Sequence, residues 1–156
     1  MTTSTKNTVT TFKTITLSLT LALCSLLGFS QDSKENTKTE GQTITVTVDN
    51  VKNNNGKVMV ALHSEDTFMR GPGLQNLEST IKEGKISVTF KNVIAGNYAI
   101  MVLHDENENK RMDFDNGGMP KESYGMSNNP ISYGPPQFSE AKFKVTTENL
   151  DLNIRF

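Results

Sequence analysis

Cysteine is nearly absent from this chain of 156 residues, which contains a single one, Cys24. Cys24 lies in the run LALC, inside an apolar stretch near the start of the chain. Leu23 is bulkier than the small residue expected just before a lipid-modified cysteine, so we interpret Cys24 as part of an apolar leader. Once such a leader is removed, no cysteine remains, which excludes disulfide bonds and thiol chemistry.

The chain also has no basic patch and no second long apolar run. Its 16 lysines and arginines against 17 acidic residues give a formal net charge of −1, which argues against nucleic acid as a partner. With one apolar run only, we predict no membrane span in the mature chain. A glycine-rich phosphate loop, a Ser-His-Asp order and a Cys-His pair are all missing, so we assign no catalytic residue.

The N-terminal segment has the composition of a secretory signal peptide. Lys6 and Lys13 precede an apolar run over residues 15–29, and small residues suit a cut after Ser30. We predict a signal peptide over residues 1–30, a polar linker over 31–42 and export to the periplasm or the medium. A membrane anchor is the alternative. Cleavage would leave about 126 residues with a formal charge of about −3, enough for one small domain.

The remaining chain, residues 43–156, shows the alternation of β-strands. Apolar residues recur at every second position around Ile44, Ile86, Phe143 and Leu150, which predicts strands with one buried face. Two other segments, 58–62 and 98–103, are apolar on both faces, as in central strands. This predicts six strands, or seven if residues 78–82 pair across Glu83-Gly84.

Short connections and the lack of long helical periods favour antiparallel pairing over βαβ units. The expected fold is an all-β, antiparallel β-sandwich of the immunoglobulin or transthyretin type, closed by a hairpin of the last two strands. Tyr98 follows a glycine turn and is expected to bond to nearby backbone as a tyrosine corner. Residues 105–139 form one long insertion, whose apolar side chains predict an ordered rather than disordered loop.

Three blocks of the sequence resemble the domain of unknown function 2141 family of exported bacterial proteins. They are VMVALHSEDTF, NVIAGNYAIMVLHDENENKRMDFDNGGMPKESYGMSNN and YGPPQF, within residues 43–156. The resemblance implies a β-rich exported domain and no established activity. The related loop commonly reads DENGNGKLD, whereas this chain has Glu108 and Lys110 at its glycine positions.

Oxygen-bearing side chains alternate in the stretch that begins at Asp105. A calcium-loop template takes side chains from positions one, three, five and nine and a backbone carbonyl from position seven. The template requires glycine at position six and glutamate at twelve; Lys110 and Asn116 stand there, so the loop is not an EF-hand. A solvated polar turn is the alternative. With calcium as the cofactor, the predicted ligands are Asp105, Asn107, Asn109, Arg111 (through its carbonyl) and Asp113, with Asp115 as a replacement carboxylate.

Two further groups of residues are candidates for function. His63 and His104, the only histidines, each end an apolar strand, and with Asp105 they define an alternative reading as a metal-assisted hydrolase. A polar and aromatic set suits a binding surface, or else satisfies the backbone of the long loop: Tyr124, Asn128, Asn129 and Tyr133.

We therefore expect an exported, non-enzymatic binding or accessory module of the cell envelope. Its partner is an unknown envelope or extracellular molecule. A purely structural accessory protein would present an exposed apolar patch near Phe114, Tyr124 and Tyr133.

Overall fold

The structure, a computed structural model, describes residues 41–131 and 134–156. The predicted signal peptide, all but the last two residues of the predicted linker, and Tyr133 lie outside these described residues. Within them, eight strands and one short helix follow in the order β1 Gln42–Val48, β2 Lys57–His63, β3 Gln75–Ser79, β4 Ile86–Val93, β5 Gly96–Asp105, β6 Tyr124–Met126, α1 Phe138–Ala141, β7 Phe143–Val145 and β8 Leu150–Asn153. No helix in the described part of the chain is long and apolar enough to cross a membrane.

The strands form two sheets. One has three strands in the order β4-β1-β8, and the other has the order β3-β2-β5-β6, with β7 also paired to β5. All ladders are antiparallel except β1–β8, which is parallel. The prediction of an all-β protein with mainly antiparallel pairing is confirmed.

One apolar core takes its side chains from both sheets, because each strand has the alternating pattern read from the sequence. In β1 the residues Ile44, Val46 and Val48 are fully buried, while the threonines between them are half-buried. The same cluster includes buried residues of the second sheet. Burying each such side chain contributes about 1.5–3 kcal/mol relative to leaving it exposed.

The central strand β5 buries both of its faces, in two different clusters. Ile100 and Val102 join the main core, whereas Ala99 and Met101 contact a second cluster with Phe68. Ala141 of α1 and Met126 of β6 complete that second cluster. The segment 98–103 is therefore apolar on both faces because connecting segments cover the outside of its sheet.

The last two strands do not form the expected hairpin. β7 pairs with β5, with Phe143 opposite Tyr98, whereas β8 pairs in parallel with β1, with Leu152 opposite Val46. The chain thus crosses from one sheet to the other after Val145. The hairpin was predicted from proximity in sequence, but burial of Val145 and Ile154 in the shared core decided the pairing.

Two smaller expectations have different outcomes. Tyr98 donates a hydrogen bond from its hydroxyl to the carbonyl oxygen of Ile94 at 3.1 Å, so the tyrosine corner is confirmed. The extra strand lies at Gln75–Ser79 rather than at 78–82, and pairs with β2. Across Glu83-Gly84 there remains only a bridge between Lys82 and Lys85.

Candidate functional site

The polar loop begins on a buried carboxylate at the end of β5. Asp105 is 2% exposed. Its Oδ1 accepts a hydrogen bond from the Asn109 N–H at 3.0 Å, and its Oδ2 accepts one from the Lys110 N–H at 2.8 Å. One carboxylate therefore closes the turn from its first to its sixth residue, because two backbone donors converge on it.

Two further side chains of the loop donate three hydrogen bonds to the carboxylate of Asp113. Asn107 Nδ2 donates to Asp113 Oδ2 at 2.6 Å, and Asn109 Nδ2 donates to both carboxylate oxygens at 3.0 and 3.1 Å. These donors, Asn109 first and then Asn107, hold the pKa of Asp113 below its ordinary value because they stabilise the charged form. The structure thus brings together four predicted ligands, Asp105, Asn107, Asn109 and Asp113, around one turn.

The other two predicted ligands have separate roles. Arg111 donates its N–H to Asn109 Oδ1 at 3.0 Å, and its Nε lies 3.9 Å from Asp113 Oδ1. Asp115 Oδ1 accepts from Gly117 N and Met119 N, both at 2.8 Å, and so shapes a hairpin beyond the loop. Among the residues described, no three His, Cys, Asp or Glu side chains group closely enough to hold a metal ion, so a cation here would need the asparagine oxygens.

Glu122 fixes both ends of the loop and was missed in the sequence. It is 7% exposed. Its Oε1 accepts from the Glu106 N–H at 3.0 Å and its Oε2 from the Asp113 N–H at 3.1 Å. Glu122 is the one acidic residue in the segment PKES, and no local pattern indicates its role. Its two hydrogen-bond partners lie nine and sixteen positions earlier in the chain.

The loop has positive φ, which favours glycine, at two positions that are not glycine. Glu108 and Lys110, at the two positions where the related loop has glycine, have φ of 59° and 63°. Each also makes an ion pair with the neighbouring strands: Glu108 lies 3.1 Å from Lys57, and Lys110 lies 3.2 Å from Glu78. The hydrogen bond to Glu108 is the main reason that the pKa of Lys57 is raised. The loop therefore keeps its turn at the expense of backbone strain.

Lys110→Gly should leave the free energy of unfolding unchanged or raise it by up to about 1 kcal/mol. A side chain in the left-handed region costs roughly 1–2 kcal/mol, which outweighs the extra freedom that glycine gives the unfolded chain, about 0.5–1 kcal/mol. The exposed pair with Glu78 contributes little. Lys121→Gly, at a loop position without positive φ, is the control. Urea denaturation should show Lys121→Gly to be less stable than Lys110→Gly. An equal loss of unfolding free energy in both variants would contradict backbone strain at Lys110.

The two histidines are not brought together. In the antiparallel β2–β5 ladder His63 lies opposite Ala99 and His104 opposite Val58. At about 3.4 Å per residue, this register separates them by roughly 17 Å along the strands. The prediction of one hydrolase site formed by His63, His104 and Asp105 is therefore wrong. Each histidine ends its strand, and neighbouring antiparallel strands end at opposite ends of the sheet.

Each histidine instead has its own structural environment. His104 is fully buried; its Nε2 lies 2.8 Å from the Asn55 carbonyl oxygen, so Nε2 carries the proton. His104 Nδ1 is buried without a hydrogen bond, 3.8 Å from Glu106 Oε1. His63 contacts Thr67 through Nδ1, and burial lowers the pKa of its imidazole.

The predicted binding surface divides in two. Asn128 Nδ2 donates to the carbonyl oxygens of Glu140 and Lys142, both at 3.0 Å, and so holds α1 in place. Asn129 Nδ2 donates to the Asn153 carbonyl oxygen at 2.9 Å and its Oδ1 accepts from the Arg155 N–H at 2.8 Å. Both amides thus form hydrogen bonds with backbone groups.

Tyr124 lines a cleft of about 610 Å³ where β6 meets the end of the chain. On the other side Asn50 binds the backbone of Phe156 through both amide atoms, at 3.0 and 3.2 Å. No ion pair joins the Arg155 guanidinium to another described side chain. The cleft is lined by Asn50, Tyr124, Gly125, Met126, Asn129, Pro130, Arg155 and Phe156.

A comparison with known families agrees with the resemblance read from the sequence. The profile of a family described as "Uncharacterized protein conserved in bacteria (DUF2141)" matches residues 46–153. No curated protein and no solved structure matches the chain.

Proposed function

Because this chain belongs to the DUF2141 family, whose description gives no activity, we propose its function from its own geometry. It is an exported, non-enzymatic binding or accessory module of the cell envelope, with a loop that calcium stabilises. The export rests on the signal-peptide pattern of residues 1–30. The location is the periplasm or the medium, and the partner is an envelope or extracellular molecule.

The convergence of loop side chains is the observation that carries this proposal. Asp105, Asn107, Asn109 and Asp113 stand at positions one, three, five and nine of the calcium-loop template. Hydrogen bonds join their polar atoms through one turn. The positive φ at Lys110 supplies the sharp turn that the template obtains from glycine at position six. An ion would displace the amide N–H groups that now hold Asp113, so its affinity should be weak, as in extracellular modules.

The scaffold that we propose is an antiparallel sandwich of the immunoglobulin or transthyretin type. It is supported by the common core of the two sheets and by the tyrosine corner at Tyr98. In such scaffolds the loops at the ends of the strands act as the binding elements, because the rigid sheets position them.

Two surfaces are available for a partner. The cleft is lined by the aromatic residue Tyr124 and by the basic residue Arg155. The hairpin after the loop presents Phe114, 57% exposed, and Met119, 65% exposed. The exposed apolar pair favours a structural accessory role through contact with a larger protein, as a second candidate.

A thermal melt with calcium and with chelator tests the loop. About 10 mM calcium, acting on a site of millimolar or slightly tighter affinity, should raise the midpoint by roughly 5–10 °C relative to chelator. Asp113→Ala should abolish this rise because it removes the central carboxylate. Asp151→Ala, on an exposed position of β8, should keep it.

Magnesium at the same concentration is the ion control, since it prefers rigid octahedral sites and should raise the midpoint much less. Equal midpoints in calcium and chelator, or an equal rise in the Asp113→Ala variant, would remove calcium from this function.

A further inference from the structure

Two Asn-Gly steps occur in the described chain, Asn55-Gly56 and Asn116-Gly117. In such a step the glycine nitrogen can attack the side-chain carboxamide carbon of the asparagine, because glycine has no Cβ to obstruct the approach. The new C–N bond closes a succinimide, and the carboxamide nitrogen leaves as ammonia. Water then opens the ring at either carbonyl, which gives aspartate or isoaspartate. The sequences are alike, so the fold must decide which step reacts.

The Asn116 step lies in open space at the end of the hairpin. Asn116 is exposed, and a Cβ built on Gly117 would meet only Asp115 Oδ1, at 3.3 Å. Around the next residue, Gly118, no atom lies within 4 Å of such a Cβ. Gly117 N is held by one hydrogen bond, to Asp115 Oδ1 at 2.8 Å. Rotating this peptide toward the Asn116 carboxamide therefore breaks one exposed bond and displaces no packed atom.

The Asn55 step is fixed on both sides. The carbonyl oxygen of its peptide bond accepts the hydrogen bond from buried His104 Nε2 at 2.8 Å. A Cβ on Gly56 would lie 2.0 Å from the Asp105 carbonyl oxygen and 2.8 Å from Glu106 backbone atoms, so the backbone here is tightly packed. The peptide plane cannot turn toward the Asn55 carboxamide unless the start of β2 separates from the end of β5.

We propose that Asn116 is a site of spontaneous deamidation in the folded protein and that Asn55 is protected by the fold. The reaction places a new carboxylate beside Asp115 at the exposed end of the hairpin. In the isoaspartyl product the main chain gains a carbon between residues 116 and 117. That change disrupts the bonds Gly118 N–H to Asp115 O and Asp115 N–H to Met119 O, which close the turn. Deamidation over time thus alters the charge and the shape of the surface that carries Phe114 and Met119.

Peptide mass mapping of the full-length protein tests this. After incubation at mildly alkaline pH and physiological temperature, the peptide with Asn116 should gain about 1 Da and appear as both aspartyl and isoaspartyl forms. The peptide with Asn55 should react at least about tenfold more slowly, the factor that corresponds to about 1.4 kcal/mol and to one protected hydrogen bond.

Two comparisons separate the fold from the sequence. In concentrated urea both peptides should react at similar rates, because the packing around Gly56 is lost. Gly117→Ala, at a position without positive φ, should slow the reaction at Asn116 and leave the fold intact. Equal rates at the two asparagines in the folded protein, or reaction of Asn116 only in urea, would overturn the proposal.

Discussion

Gly125→Ala is expected to lower the free energy of unfolding by about 2–3 kcal/mol, at the upper end of the range for overpacking. A Cβ at Gly125 would lie 2.4 Å from the carbonyl oxygen of Arg155 and 3.0 Å from Ile154 Cγ2. The first contact is to backbone, so no side-chain rotation can relieve it. The short strand β6 would have to move away from the end of the chain, which is where the two sheet edges meet.

The same movement would open the cleft beside Tyr124. Gly71→Ala is the matched control, because a Cβ there meets no atom within 4 Å and its φ is not positive. Urea denaturation should show a change within about 0.5 kcal/mol for the control. A similar small change for Gly125→Ala would mean that β6 does not pack on the C-terminal segment in this way.

Ser127→Ala is expected to cost about 2–4 kcal/mol, because it leaves two buried backbone groups without partners. Ser127 is 1% exposed; its Oγ accepts the Ile100 N–H at 3.0 Å and donates to the carbonyl oxygen of Ala141. Its own N–H binds the Ile100 carbonyl oxygen at 3.0 Å and survives the substitution. One hydroxyl therefore joins β5 to α1 through the second cluster.

Ser87→Ala on β4 serves as the control, since that serine is exposed. Chemical denaturation should separate the two serine variants clearly. Hydrogen exchange at the Ile100 amide should also become faster in Ser127→Ala, because its acceptor is gone. Unchanged exchange at Ile100 would show that water or a neighbouring group replaces the hydroxyl.

The two residues with the largest expected effects, Gly125 and Ser127, stand in a stretch that the sequence marked only as part of a long insertion. Their neighbours Asn128 and Asn129 were predicted as a binding surface because amides and aromatics suit recognition. The same amides suit the capping of backbone, and nothing in a local pattern separates the two uses. Their φ values of 66° and 47° are set only when the chain folds. The same holds for the carbonyl oxygens that accept their side-chain hydrogen bonds.

The loop shows the same division. The spacing of Asp105, Asn107, Asn109 and Asp113 predicted a turn on which their side chains converge, and the hydrogen bonds place them together. Glu108 and Lys110 stand where the related loop has glycine. The folded chain keeps the positive φ at both positions. Glu122 supplies the bonds that hold the turn there, from a residue too distant in sequence to be read.

The sequence by itself determined six of the eight described strands, their buried faces and the polar turn after β5, because alternation and side-chain spacing are properties of neighbouring residues. It also determined the family. Only the tertiary structure decided that β7 and β8 lie in different sheets, that His63 and His104 are far apart, and that Glu122 and Ser127 are buried anchors. Those outcomes depend on register and on the competition for one core, which involve residues distant in the chain.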